Sequence, residues 1–170
     1  NYPLHFSLQG FHYCDLLLTE AERDAWRQMQ EAGGRSQGSK VKSQKSELRN
    51  GCRAVSERAA RNLTIAEFNN WLLDIALDHL TLGRAALYGC VLGLSADEQR
   101  GLTSAATQLD AAVDGLRRAG TTHHIPRGLL TRAWLRFLTG ARSGPESAQE
   151  DLDEAWEIAE RGPMKLFLAD

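Results

Sequence analysis

Histidine, cysteine and carboxylate side chains are the groups in this chain that could do chemistry, and their spacing limits what that chemistry can be. His123 and His124 are adjacent. Neighbours on a helix or loop point apart, so they chelate one metal poorly, and no carboxylate stands at i+4 to help. They read as surface-loop histidines. His12 and Cys14 lie two positions apart, again the wrong spacing for shared ligation on a helix. His79 falls one turn before Gly83 and reads as a packed histidine with one nitrogen satisfied. The three cysteines, Cys14, Cys52 and Cys90, contain no CxxC pair, so neither a disulfide framework nor a zinc ribbon is expected, and a reducing cytosol is the natural setting. No GxSxG is present, and Cys90 falls on an apolar stripe, where a buried structural thiol is expected. The acids between 146 and 160 are dense enough to form a solvated outer face. The chain therefore reads as non-enzymatic, with no catalytic residue, cofactor or metal.

The elements that would position these groups are helices. Only four prolines occur, at Pro3, Pro126, Pro145 and Pro163, and none interrupts a periodic apolar stretch. Ser/Thr-x-x-Glu boxes at Thr19–Glu22, Ser95–Glu98 and Ser143–Glu146 predict helix starts, because hydroxyl and carboxylate each satisfy a free backbone N–H. Runs of alternating Val, Ile or Thr between turn residues are missing, so strands are unsupported. Ala148, Leu152, Ala155, Trp156 and Ala159 make one helical stripe, with Glu150, Asp151, Asp153, Glu154 and Glu157 assigned to the opposite face. From 71 to 92 apolar residues cover most of the circumference, as expected of a helix packed on several sides. The fold class is all-α.

Composition bounds the partners. The 170 residues are 42% apolar and 25% charged with net charge −2, which argues against a polyanion-binding surface over the whole chain. Residues 33–51 break the helical scheme: Arg35, Lys40, Lys42, Lys45 and Arg49 face Glu47 alone among Gly, Ser and Gln. That stretch reads as a flexible basic insertion. With no aromatic side chain for stacking it does not support a nucleic-acid partner. No run of eighteen apolar residues exists, so no membrane partner is expected either, and the expected location is cytoplasmic. The chain starts at Asn1 rather than Met and looks cut from a longer one.

An internal repeat is present. Ala-x3-Leu-x2-Ala occurs at Ala59–Leu63–Ala66, Ala105–Leu109–Ala112 and Ala148–Leu152–Ala155, at intervals of 46 and 43. Leu82-Gly83-Arg84-Ala85-Ala86 aligns with Leu130-Thr131-Arg132-Ala133-Trp134 at a shift of 48, and Gln9-Gly10-x-x-Tyr13 fits the same frame. Small residues let two helix backbones approach, and large residues three positions on fill the space between pairs. A lone pair cannot bury its apolar face, so pairs stack.

On these residues the chain resembles the tetratricopeptide repeat (TPR) family, with Leu-Gly-x-x-Tyr on a first helix and Ala-x3-Phe-x2-Ala on a second. Stretches such as WLLDIALDHLTLGRAALY and DLDEAWEIAERGPM are similar to degenerate TPR arrays of large bacterial signalling proteins, which often follow a nucleotide-binding module of the STAND NTPase type. No GxxxxGK[ST] occurs in this chain. The repeat is longer than the family's ~34 residues, and ~40–47 also fits HEAT-like pairs. The small/large order on both helices favours TPR.

The resemblance implies a single domain, 1–170, forming a TPR-like antiparallel helix-pair solenoid of about three pairs with a fourth begun. Repeat 1 covers about 3–69, its first helix ending near 18 and its second starting at Thr19 and resuming near Cys52. Repeat 2 covers about 70–120, with helices at 70–93 and 96–119. Repeat 3 covers about 121–162, with helices at 124–140 and 146–161. A truncated repeat 4 at 163–170 would leave an apolar end open to self-association. The resemblance also implies function: a protein–protein interaction module, or a sensor arm acting in cis on a larger STAND-type NTPase. Its concave face would carry Phe11, Asp15, Arg84, Tyr88, Arg132 and Arg136, a cationic and partly aromatic wall for a protein or an acidic peptide. The alternative is that these arginines pair with acids such as Asp78 or Asp110. Trp26, Trp71, Trp134 and Trp156 read as packing anchors, any one of them exposed on the inner surface being a binding hot spot.

Overall fold

Helix α3 (Leu72–Val91) is apolar nearly all round, and a helix of that kind must be enclosed. In the computed structural model it touches α1 (Ser7–Gln30), α2 (Lys40–Phe68), α4 (Glu98–Ala119) and α5 (Ile125–Leu138). Helix α6 (Ala148–Arg161) packs on α5, and one 3-10 turn at Thr122–His124 leads into α5. The structure describes residues 7–30, 40–95 and 97–162; among them there is no strand, and the fold is all-α. No helix among them is long and apolar enough to cross a membrane.

Chain direction follows from who meets whom. On α1 and α2, Tyr13 meets Arg58 and Asp24 meets Gln44, so the two run antiparallel. On α3 and α4, Gly83 lies against Leu109 and Ala76 against Gly115, again antiparallel. On α5 and α6, Arg132 meets Asp151 and Arg136 reaches the Ser147 carbonyl. On α1 and α5, Asp15 meets Arg127 and Trp26 meets Trp134, so these two run the same way.

The small positions of the repeat have a visible reason at α3–α4. A Cβ on Gly83 would come within 2.7 Å of the Leu109 side chain, and one on Gly115 within 2.8 Å of the Ala76 Cβ. Leu109 and its partners Ala105 and Ala112 are fully buried. The same motif is less covered elsewhere: Leu63 is half-buried and Leu152 is exposed, because no described helix lies over the outward side of α6. Burying Leu77, Leu80 and Leu87 on α3 stabilises the fold by about 1.5–3 kcal/mol per side chain.

Helix α2 ends in a Schellman motif. Asn70 takes φ 54°, its N–H bonds to Glu67 O, and the Trp71 N–H bonds to Ala66 O. Gly93, at φ 62°, closes α3 the same way, through Cys90 O and, from Leu94 N–H, Gly89 O.

Four sequence expectations about helix ends are corrected. Thr19 does not start a helix: its hydroxyl donates to Asp15 O one turn back, and α1 runs through it without a break. The N-cap of α4 is Asp97, which accepts from the Arg100 N–H at 3.0 Å, rather than Ser95. The N-cap of α6 is Ser147, whose hydroxyl accepts from the Glu150 N–H while the Glu150 carboxylate accepts from Glu146 N–H, so the box sits four residues past the one expected. Finally, residues 40–51 of the expected insertion are the first turns of α2. Residues 33–39 of that insertion, and the fourth repeat at 163–170 with its proposed self-association, lie outside the described residues. Helices α3 to α6 fall within a few residues of their expected spans.

Candidate functional site

Arg84 is the centre of the charged seam. It stands on α3 and is 1% exposed, a position a guanidinium holds only with its donors matched. Nη1 donates to Asp15 Oδ1 at 2.7 Å, Nη2 to Glu22 Oε2 at 2.8 Å, and Nε to the Tyr88 hydroxyl at 3.1 Å. Burial by itself lowers its pKa. The Tyr88 hydroxyl and the Glu22 and Asp15 carboxylates outweigh burial and hold its pKa above the ordinary arginine value. Burial likewise pushes the Tyr88 phenol upward, so it remains a neutral acceptor.

Helix α1 brings the acids. Phe11, Cys14, Leu18, Ala21 and Ala25 form its buried stripe, and Asp15 and Glu22, two turns apart, flank that stripe. Asp15 also accepts from Arg127 on α5, whose guanidinium lies 5.6 Å above the Phe11 ring. Further along, Trp26 stacks on Trp134 with centroids 4.1 Å apart, and Trp134 Nε1 donates to Met29 Sδ. Tyr88 lies 5.6 Å from the same indole. Helix α1 therefore lies along a wall made of Arg84, Tyr88, Arg127 and Trp134.

A second network surrounds Asp151 on α6, which is 1% exposed. Arg132 donates to both of its oxygens, at 2.7 and 3.1 Å, and Arg136 approaches Oδ2 at 3.0 Å. Arg132 also reaches Asp110 at 3.2 Å. Its pKa is raised, burial being outweighed by the bonds to Asp151 and Asp110.

The structure thus joins Asp15, Arg84 and Tyr88 in one network, sets Phe11 beside it, and gathers Arg132 and Arg136 in another. The charges expected on an open wall are paired inside the protein. Arg132 has the Asp110 partner weighed from the sequence, while Arg84 has Asp15 and Glu22 rather than Asp78. Sequence reasoning missed Glu22, Arg127 and Asp151. Asp151 was assigned to the acidic outer face, yet it lies three residues after Ala148 and four before Ala155, both buried.

The remaining reactive groups are accounted for by packing. Cys14, Cys52 and Cys90 are buried free thiols, burial raising all three and taking Cys52 to about 11. His79 Nδ1 lies 2.7 Å from Gln108 Oε1. The two adjacent histidines do not point apart as expected: their rings lie 4.1 Å from each other, and His124 is half-buried edge-on to Phe11. Among the described residues no three His, Cys, Asp or Glu side chains are placed to hold a metal ion. Comparison with known proteins adds no relative: no family model matches the chain, and no curated protein and no solved structure matches it.

Proposed function

We propose that the chain is a TPR-like interaction scaffold whose inner wall recognises an acidic amphipathic helix, and that α1 fills this wall in cis. Two observations support the helix-pair reading: α1 and α5 run the same way, and each consecutive helix contacts the next. One observation carries the specificity. The wall of Arg84, Tyr88, Arg127 and Trp134 is occupied by a helix presenting two carboxylates and a buried apolar stripe. Such a wall offers charge-assisted bonds to acids and aromatic area to apolar anchors.

The test is helix exchange. A fluorescent peptide with the sequence Ser7–Gln30 is titrated against the full chain and against the chain carrying Asp15→Asn and Glu22→Gln. The wild-type cis helix competes at high effective concentration. The double variant loosens it and binds the added peptide about tenfold more tightly. Equal binding by both chains, or equal binding of a peptide lacking the two acids, would remove the proposal.

A further inference from the structure

We propose that the two ends of the helix stack recognise each other, the outward face of α6 docking on the α1–α2 face of a second copy of this chain. The surfaces involved are separate from the wall under α1.

The α6 end presents Trp156, 55% exposed, and Leu152 one turn before it. Both lie along the edge of the buried Ala148, Ala155 and Ala159, on the flank turned away from Asp151. Asp153, Glu157 and Glu160 are exposed around them. Apart from the buried Asp151, α6 carries five acids against one cation, Arg161.

The opposite end has the complementary character. On α1, Leu16 is 70% exposed, with Leu17 and Tyr13 exposed beside it. The Arg58 guanidinium lies 5.0 Å over the Tyr13 ring and joins this apolar patch to α2. From Gln44 to Phe68, α2 carries Lys45, Arg49, Arg53, Arg58 and Arg61 against Glu47, Glu57 and Glu67. Arg53 and Arg61 sit one turn to either side of Glu57 on its exposed surface. An apolar pair bordered on its solvent side by acids at one end therefore matches an apolar patch bordered by cations at the other. Such complementarity fixes orientation: like ends repel and unlike ends attract. A head-to-tail contact is heterologous, so each added copy leaves one end open and assembly continues.

Sedimentation velocity on three chains of residues 1–170 tests this. The wild type gains mass with concentration, and high salt weakens the association about tenfold by screening the flanking charges. Trp156→Lys blocks one end and Leu16→Glu with Arg61→Glu blocks the other; each stays monomeric. An equimolar mixture of the two forms a dimer and stops there, since only one competent junction remains. All the substituted positions are exposed, and far-UV helicity confirms the fold, with Leu152→Lys as the substitute if Trp156→Lys loses it. A wild type that remains monomeric at every concentration overturns the proposal and gives the α6 face to the chain's own residues 163–170 or to a different protein. Self-association by either blocked variant alone, or a mixture that stays monomeric, overturns it as well.

Discussion

Arg84 and Asp15 are 69 positions apart in the sequence and 2.7 Å apart in the structure, an ion pair of a buried guanidinium with a partly buried carboxylate that ties the first helix to the third. Breaking such a pair from one side leaves an uncompensated charge, which costs far more than replacing the whole group. Arg84→Met is expected to lower the unfolding free energy by about 3 kcal/mol in urea titration. Replacing Arg84 and Glu22 together with Met and Leu, Asp15 keeping its bond to Arg127, is expected to restore most of that loss. A double variant no more stable than the single one would contradict this account.

Asp151 is the corresponding group for the last helix. Asp151→Ala removes the shared acceptor of Arg132 and Arg136, for an expected loss of about 3 kcal/mol. Because α6 packs chiefly on α5, the loss is local. Amide exchange in α6 is expected to quicken while α3 and α4 keep their protection.

Gly83 reports on the closest helix approach. Gly83→Ala pushes a methyl group against Leu109, whose side chain is fully enclosed, and is expected to cost about 1–3 kcal/mol. Leu109→Ala in the same chain opens the space, so the double variant is expected to lose less than the two single losses summed, a coupling that thermal melts of all four chains measure.

Two groups make stability depend on pH in opposite senses. Burial, with His123, His12 and Arg127 nearby, lowers His124 from 6.5 to about 4. The unfolded chain therefore takes the proton first, and this contribution to stability is lost as pH falls from 6.5 through 4. Burial, then Asp74, raises Asp78 from 3.8 to about 7. Here the folded chain takes the proton first, and stability is lost as pH rises from 3.8 through 7. The two slopes oppose each other in the wild type. His124→Gln is expected to leave a chain that weakens as pH rises across this window, and Asp78→Asn one that weakens as pH falls. Denaturant midpoints measured from pH 4 to pH 7 decide both.

The sequence carried the helices of the second half almost to their ends, because α3 to α6 combine strong periodicity with short turns. It misplaced the starts of α4 and α6, where Ser95 and Ser143 have the right type but Asp97 and Ser147 have the right backbone. It broke α1 at Thr19, since a threonine that bonds back to Asp15 O looks the same in sequence as one that caps. Charge partners were the least legible. Arg84 stood out by its frame beside Gly83, but nothing local says that Asp15 and Glu22 will meet it from another helix. Glu22 was within reach of sequence reasoning all the same, being seven residues after Asp15 and so on one face with it. Asp151 was readable too, through the buried alanines on either side.

The bond between Asp15 and Arg127 spans 112 positions and joins α1 to α5 directly. A row of helices that touch only their neighbours can fray from either end, each unit melting nearly on its own. A strap from the first helix to the fifth opposes that fraying, because α1 leaves only by giving up its contacts with Arg84, Arg127 and Trp134 together. Although its sequence is written as repeats, the chain should melt in one cooperative transition that every spectroscopic probe reports at the same midpoint.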